Sequence, residues 1–164
     1  KRIDILINCV GIPHGSLFLM TKIEDLKNIF NINYFSILYI IQLCSRLMAR
    51  NKKGVICNIS SSSSFLSDPG TLVYGSSKAA LNFSTKVLSK ELSEYGIRIN
   101  TVAPGVTKTD MLDMMDQVSI QKQLEQSSLK KIADPSQISS VIIFLCSDAA
   151  SHITGQILKV DGGL

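Results

Sequence analysis

Residues 71–105, TLVYGSSKAALNFSTKVLSKELSEYGIRINTVAPG, hold a helix, its stop and a strand in one run. Ala79, Ala80, Leu81, Val87, Leu88 and Leu92 recur at mixed three- and four-residue spacing, which predicts a helix over 71–95 with Gly96 at its stop position. Tyr74 and Lys78 fall near its start, four residues apart and therefore on one face. IRINTVA (97–103) then reads as a strand broken by Pro104-Gly105, as RIDILIN (2–8), a nearly continuous apolar run, reads as a strand covered on both faces.

Working outward, RIDILIN (2–8), GVICNIS (54–60) and GQILKV (155–160) read as further buried strands. Thr21-x-x-Glu24 offers a capping box for a helical region running to about residue 50. Arg50-Asn51-Lys52-Lys53 places cations in the last turn, where they complement the helix dipole, with Gly54 where the helix should stop. Asp134-Pro135-Ser136-Gln137 supplies a cap, a proline at the first helical position and a back-bonding glutamine, predicting a helix over 135–147. Between these, 107–131 is a polar, methionine-containing stretch. The alternation β-α-β-α-β-α-β implies one α/β domain over 1–164, a parallel, doubly wound sheet with helices on both sides. Ligands of such sheets sit outside the carboxyl ends of the strands, where Asn8, Ser60–Ser64 and Pro104–Thr109 fall.

With 164 residues, 45% of them apolar and 18% charged, the chain is long enough for one globular domain with a real core. The net charge of +4 comes partly from the 50–53 cluster and requires no nucleic acid. Cys9, Cys44, Cys57 and Cys146 form no CxxC or Cys/His cluster and read as reduced, buried small hydrophobes of a cytoplasmic protein. His14 and His152 lack partners at metal-ligand spacing, so they read as loop residues and no metal site is expected. The most apolar helical stretch, 29–49, is interrupted by Asn31, Asn33, Gln42 and Arg46 and lacks an unbroken run of about 18 apolar residues, so no membrane partner is expected. Asn58-Ile59-Ser60 and Asn82-Phe83-Ser84 match the glycosylation pattern and read as chance matches in a chain showing no secretory signal.

On their own, a tyrosine and lysine four apart are usually a solvated helix face, and a serine run is usually a flexible loop. The wider pattern raises their standing. DILIN-x-x-G, NIN, NISS, YGSSK, IRINTVAPG and ITGQILKVDGG occur in that order, and together they resemble the short-chain dehydrogenases/reductases from end to end of the chain. The resemblance implies a Rossmann-like fold and NAD- or NADP-dependent interconversion of a ketone and a secondary alcohol. It assigns the catalytic tyrosine to Tyr74 and the lysine to Lys78. The serine is Ser61, which stands thirteen residues before Tyr74, and the helix asparagine is Asn33, because Asn33-Tyr34-Phe35-Ser36 keeps the distance to that serine. Cofactor contacts are implied for Asn8, Gly11, Tyr74, Lys78, Pro104, Gly105, Thr107 and Thr109. Chemically, ketone reduction requires a proton on oxygen as hydride reaches carbon, and Tyr74 is the expected donor. A free phenol has a pKa near 10, and a fixed ammonium within about 4–6 Å lowers it by roughly 1–3 units, the task expected of Lys78. Ser61 is expected to hydrogen-bond the substrate oxygen, and Asn33 to hold a water linking the site to solvent.

The sequence also departs from the family pattern. The usual Asn-Asn-Ala-Gly after the first strand is here Asn8-Cys9-Val10-Gly11, with added bulk where cofactor passes. No glycine-rich phosphate-binding turn precedes Lys1, so the expectation is a chain lacking the family's N-terminal βαβ part, poorly folded and inactive alone, with RIDILIN as an apolar edge. The resemblance implies that 107–131 is a substrate lid, that the leading substrate is a 3-oxoacyl thioester, and that the complete protein is a homotetramer or dimer. The alternatives are a catalytically silent nucleotide-binding or regulatory homologue, or an enzyme acting on a sugar, steroid or polyol.

Overall fold

The computed structural model describes residues 2–164. Four strands, β1 (Ile5–Asn8), β2 (Gly54–Ile59), β3 (Ile97–Pro104) and β4 (Ile157–Val160), form one parallel sheet in the order β1-β2-β3-β4. The connecting helices are α1 (Ile23–Phe30), α2 (Ser36–Arg50), α3 (Leu72–Ser93), α4 (Gln117–Gln126) and α5 (Pro135–Cys146). The predicted α/β class and parallel sheet are therefore present.

The period of two along each strand divides the core in two. On one side, Ile56, Ile97 and Ile99 pack with Ile37, Ile41 and Met48 of α2 and Leu81 of α3. On the other, Cys57 and Val102 pack with Ile138 and Leu145 of α5. Each fully buried isoleucine, leucine or methionine contributes about 1.5–3 kcal/mol, so these two clusters hold the layers together. Helices thus lie on both sides, as a doubly wound sheet requires.

Several local expectations need correction. The box at Thr21 does not form: α1 starts at Ile23 with Lys22 as its cap residue, and the Thr21 hydroxyl instead donates to the Leu17 carbonyl at 3.1 Å. At Asp134 the box is complete, with both reciprocal bonds made. Gly54 is not the stop of α2. Lys52 takes the positive φ of 47°, and Gly54 opens β2, where a Cβ would meet the Met48 sulfur at 2.4 Å. The stretch 107–131 contains α4, capped by the Asp116 carboxylate accepting from Ser119 N at 2.8 Å.

Of the cysteines only Cys57 is buried; Cys44 and Cys146 are intermediate, and Cys9 is exposed because it lies just beyond β1. Asn58 and Asn82 of the two glycosylation matches are both buried, so neither side chain is open to modification. By length and a mean hydropathy of 1.3, the helical stretch Ile23–Arg50 would suffice to cross a membrane. Here its Ile29, Ile37, Ile41 and Met48 are buried, while Asn33 in its middle is buried and hydrogen-bonded.

Candidate active site

The site is built on α3 and the carboxyl ends of β1 and β2. Lys78, one turn after Tyr74, is 3% exposed, and its ammonium donates to the Val10 carbonyl at 3.2 Å and the Ile59 carbonyl at 3.0 Å. One lysine therefore joins the ends of two strands. Gly11 leaves the space this needs, because a Cβ there would lie 2.9 Å from Nζ and 3.6 Å from Asn33 Oδ1.

Asn33 sits in a π-helical turn, Asn31–Phe35, that interrupts the run from α1 to α2. Such turns widen the helix by one residue and re-aim the side chains within it. The Asn33 amide clamps Ile12, with Oδ1 accepting from Ile12 N at 2.8 Å and Nδ2 donating to Ile12 O at 3.0 Å. Nδ2 also donates to Ser77 Oγ at 3.3 Å, and Ser77 Oγ donates to the Tyr74 carbonyl at 2.7 Å. Asn33 thus braces both the segment after β1 and the helix that carries Tyr74.

Ser61 has an extended backbone, φ −162°, and its hydroxyl caps the short helix Ser62–Ser64 by accepting from Ser63 N at 3.2 Å. The serine run is an ordered turn rather than a loose loop. Burial pushes the Tyr74 phenol above its ordinary pKa, and a hydrogen bond from Ser61 pulls the other way. Burial also brings Lys78 down to about 8, partly opposed by the nearby Cys9. The expected lowering of the Tyr74 pKa by Lys78 is not present. The Lys78 ammonium is directed at the two strand-end carbonyls, and desolvation dominates at the phenol.

Beneath these residues runs a polar rung that the sequence reading did not identify. Asn8, Asn58 and Thr101 are register partners across β1, β2 and β3. Asn8 Nδ2 donates to Asn58 Oδ1 at 2.8 Å, Asn58 Nδ2 donates to Thr85 Oγ1 at 3.0 Å, and Thr85 and Thr101 share a hydroxyl bond of 2.8 Å. Buried groups satisfied in this way fix α3 on the sheet instead of destabilising it. Its signal in the sequence was weak: Asn8 and Asn58 each stand near the end of an apolar strand, but Thr101 lies mid-strand beside the polar Arg98 and Asn100.

The loop after β3 stands apart. Gly105 packs against Asp161, where a Cβ would meet Cα at 2.8 Å, and its N–H donates to the Val160 carbonyl at 3.0 Å. Thr107 Oγ1 donates to Gly105 O at 3.0 Å, and the exposed Thr109 Oγ1 to Thr107 O at 3.4 Å. Both threonines therefore shape their own loop. Among the described residues no hydrogen bond joins Pro104, Gly105, Thr107 or Thr109 to Tyr74 or Lys78.

The chain is similar to known proteins over its whole length. A family model described as Enoyl-(Acyl carrier protein) reductase matches residues 1–164. The 3-oxoacyl-[acyl-carrier-protein] reductase of Aquifex aeolicus is 37% identical over 162 residues, 99% of this chain and 65% of that protein. The chain belongs to the short-chain dehydrogenase/reductase family. Another member, the 3alpha-hydroxysteroid dehydrogenase of Mediterraneibacter gnavus, is 36% identical over 98% of this chain and 64% of its own length. Among solved short-chain dehydrogenases/reductases, a 7 alpha-hydroxysteroid dehydrogenase complexed with NADH and 7-oxo glycochenodeoxycholic acid superposes with a TM-score of 0.93 at 34% identity. That match covers 99% of this chain and 64% of the solved one. The chain thus spans about two thirds of the length of these relatives.

Proposed function

We propose that the complete protein is an NAD(P)-dependent oxidoreductase that interconverts a ketone and a secondary alcohol, with Tyr74 exchanging the proton. The observation that carries this reading is the placement on one helix of a half-buried phenol and, one turn away, a buried ammonium held at two strand ends, with the serine turn packed against that helix. The residues fit a nicotinamide ribose on one count. Lys78 uses two of its three N–H groups on carbonyls, and Gly11 keeps the space beside Nζ free of side chain.

When bound, the cofactor supplies or accepts the hydride at the substrate carbon. The remaining work falls to this chain. A phenol held above its ordinary pKa stays protonated at neutral pH, as a proton donor to a developing alkoxide must. Ser61 would stabilise negative charge on the substrate oxygen through its hydroxyl. Lys78 would hold the ribose and replace the proton that Tyr74 gives up. Asn33, with its amide bonded to Ile12 and Ser77, would fix the strand end and the helix in register and support a connecting water. Asn8, Gly11 and the Pro104–Thr109 loop would line the cofactor path, Thr107 through its backbone and Thr109 through its hydroxyl.

For the substrate, a 3-oxoacyl thioester has the support of the reductase relatives, while the hydroxysteroid dehydrogenases keep a steroid as the second reading. A homo-oligomer in the cytoplasm is the proposed setting, supported by the exposed apolar residues Phe35, Tyr39, Phe83 and Val87 on α2, α3 and the turn before α2, and by free cysteines. The test is Tyr74→Phe in the full-length protein, assayed with acetoacetyl-coenzyme A and with a steroid ketone, each with NADH and NADPH. Turnover should fall by about 10²–10⁴-fold, the usual scale of a lost general acid. Unchanged turnover would reject the mechanism.

A further inference from the structure

The five serines at 60–64 are tied to α3 at two points. Gly75 lies where a Cβ would approach the Ser63 carbonyl to 2.7 Å, so the turn touches the helix backbone there. Two turns further on, Asn82 Nδ2 donates to Ser64 Oγ at 2.8 Å. Gly75, Lys78 and Asn82, spaced three and then four apart, share one helix face. Between the two anchors, Ser60 Oγ donates to the Lys78 carbonyl at 3.2 Å.

Ser64 passes this anchoring to Ser61, since its hydroxyl donates to the Ser61 carbonyl at 2.6 Å. Asn82 is 7% exposed, and its Oδ1 has no hydrogen-bond partner among the described residues. Leaving a buried acceptor unsatisfied is costly, so a helix that needed only packing here would favour an apolar residue. What Asn82 provides in return is its bond to Ser64.

We propose that Asn82 and Ser64 are positioning residues of the reaction, a two-link relay that fixes the Ser61 backbone and so holds the Ser61 hydroxyl at the Tyr74 phenol. The relay begins and ends on α3, which makes the distance between Ser61 and Tyr74 independent of motion in the rest of the loop. This inference rests on the role proposed above for Ser61.

The test is Ser64→Ala and Asn82→Ala in the full-length protein, each alone and combined with Ser61→Ala, using acetoacetyl-coenzyme A and the reduced nicotinamides. Each single variant should lose about three- to tenfold in turnover, the scale of one hydrogen bond, with the KM for reduced cofactor unchanged. Neither should have any further effect once Ser61 is alanine, because residues acting through one group are not additive. Ser64→Thr, which restores the hydroxyl, should recover turnover. A second readout needs neither substrate nor cofactor. The titration midpoint of the Tyr74 phenol, taken as the absorbance change missing in Tyr74→Phe, should rise in Ser64→Ala, since the Ser61 bond that lowers it is weakened. Unchanged turnover and midpoint in both variants overturn the proposal, as does an equal loss in the Ser61→Ala background. If Ser61→Ala itself leaves turnover intact, the reading of Ser61 fails and this inference fails with it. If Ser61→Ala is strongly impaired but the effects add, the inference fails alone. Should Ser64→Ala not fold, Asn82→Ala carries the same comparisons.

Discussion

At the scale of single residues, Lys78 shows what the site costs the fold. Its pKa is brought from 10.5 to about 8 by burial, so the folded chain binds that proton less tightly than the unfolded chain. Below pH 8 both states are charged and the penalty is complete, on the order of 3 kcal/mol for the full shift. Between pH 8 and 10.5 the folded lysine loses its proton first, and stability rises with pH. Cys57, pushed up to about 12 by burial, acts in the opposite sense, because its folded form keeps a proton that the unfolded form releases from about pH 9 upward. Comparison with Lys78→Met removes that contribution. The stability of the native sequence minus that of Lys78→Met, from urea unfolding of the full-length protein, should therefore increase between pH 8 and 10.5. A flat difference would mean that Lys78 is solvated in the folded state. The candidate residues Asn33, Ser61, Tyr74 and Lys78 could be named from the sequence because they stand in motifs of fixed spacing. Their electrostatics were not legible. Spacing shows that a phenol and an ammonium share a helix face, but only the fold shows the ammonium turned to the carbonyls of Val10 and Ile59.

Among elements, what could be read depended on whether a motif's partners are local. Asp134 and Gln137 meet their partners within one turn, so the capping box formed as written. Thr21-x-x-Glu24 has the same spacing, yet the preceding turn at Phe18–Met20 draws the Thr21 hydroxyl back to Leu17. The π turn around Asn33, the serine turn and the polar rung depend on residues 18 to 50 positions away, which no local pattern specifies. Gly96 marks the legible kind of boundary. It closes the turn between α3 and β3 with φ at +68°, and a Cβ there would clash with the Lys52 carbonyl. Two penalties therefore coincide, a left-handed conformation and a backbone clash with the turn after α2. Gly96→Ala should destabilise the full-length protein by about 1–3 kcal/mol, the range for strained backbone positions, seen as a lower urea midpoint at unchanged slope. A midpoint within error of the native value would show that the turn at Lys52 yields without strain.

For the whole molecule, the consequence lies in what the layers leave uncovered. The α5 side of the sheet is packed over β2 and β3, while Ile5 and Ile7 of β1, which point to that same side, are each 48% exposed. Leu6, on the opposite side, packs against the α2 and α3 cluster. β1 is also an edge strand, with one row of backbone groups unpaired within this sheet. Exposed apolar side chains on an open edge favour association with another chain. Phe83 on α3 and Tyr39 on α2, 69% and 61% exposed, are further uncovered apolar side chains, on the helices rather than on the sheet. The two sets make different predictions. In the 164-residue chain alone, Ile5→Lys together with Ile7→Lys should reduce aggregation, measured by static light scattering, because each places a charge on the uncovered strand without touching the core. Leu6→Lys should worsen it, since that side chain is packed. In the full-length protein, Phe83→Lys should instead lower the oligomer mass while leaving the monomer folded. If Phe83→Lys, and not the β1 pair, is what keeps the 164-residue chain in solution, then self-association runs through the helices, and the open edge of the sheet is not its cause.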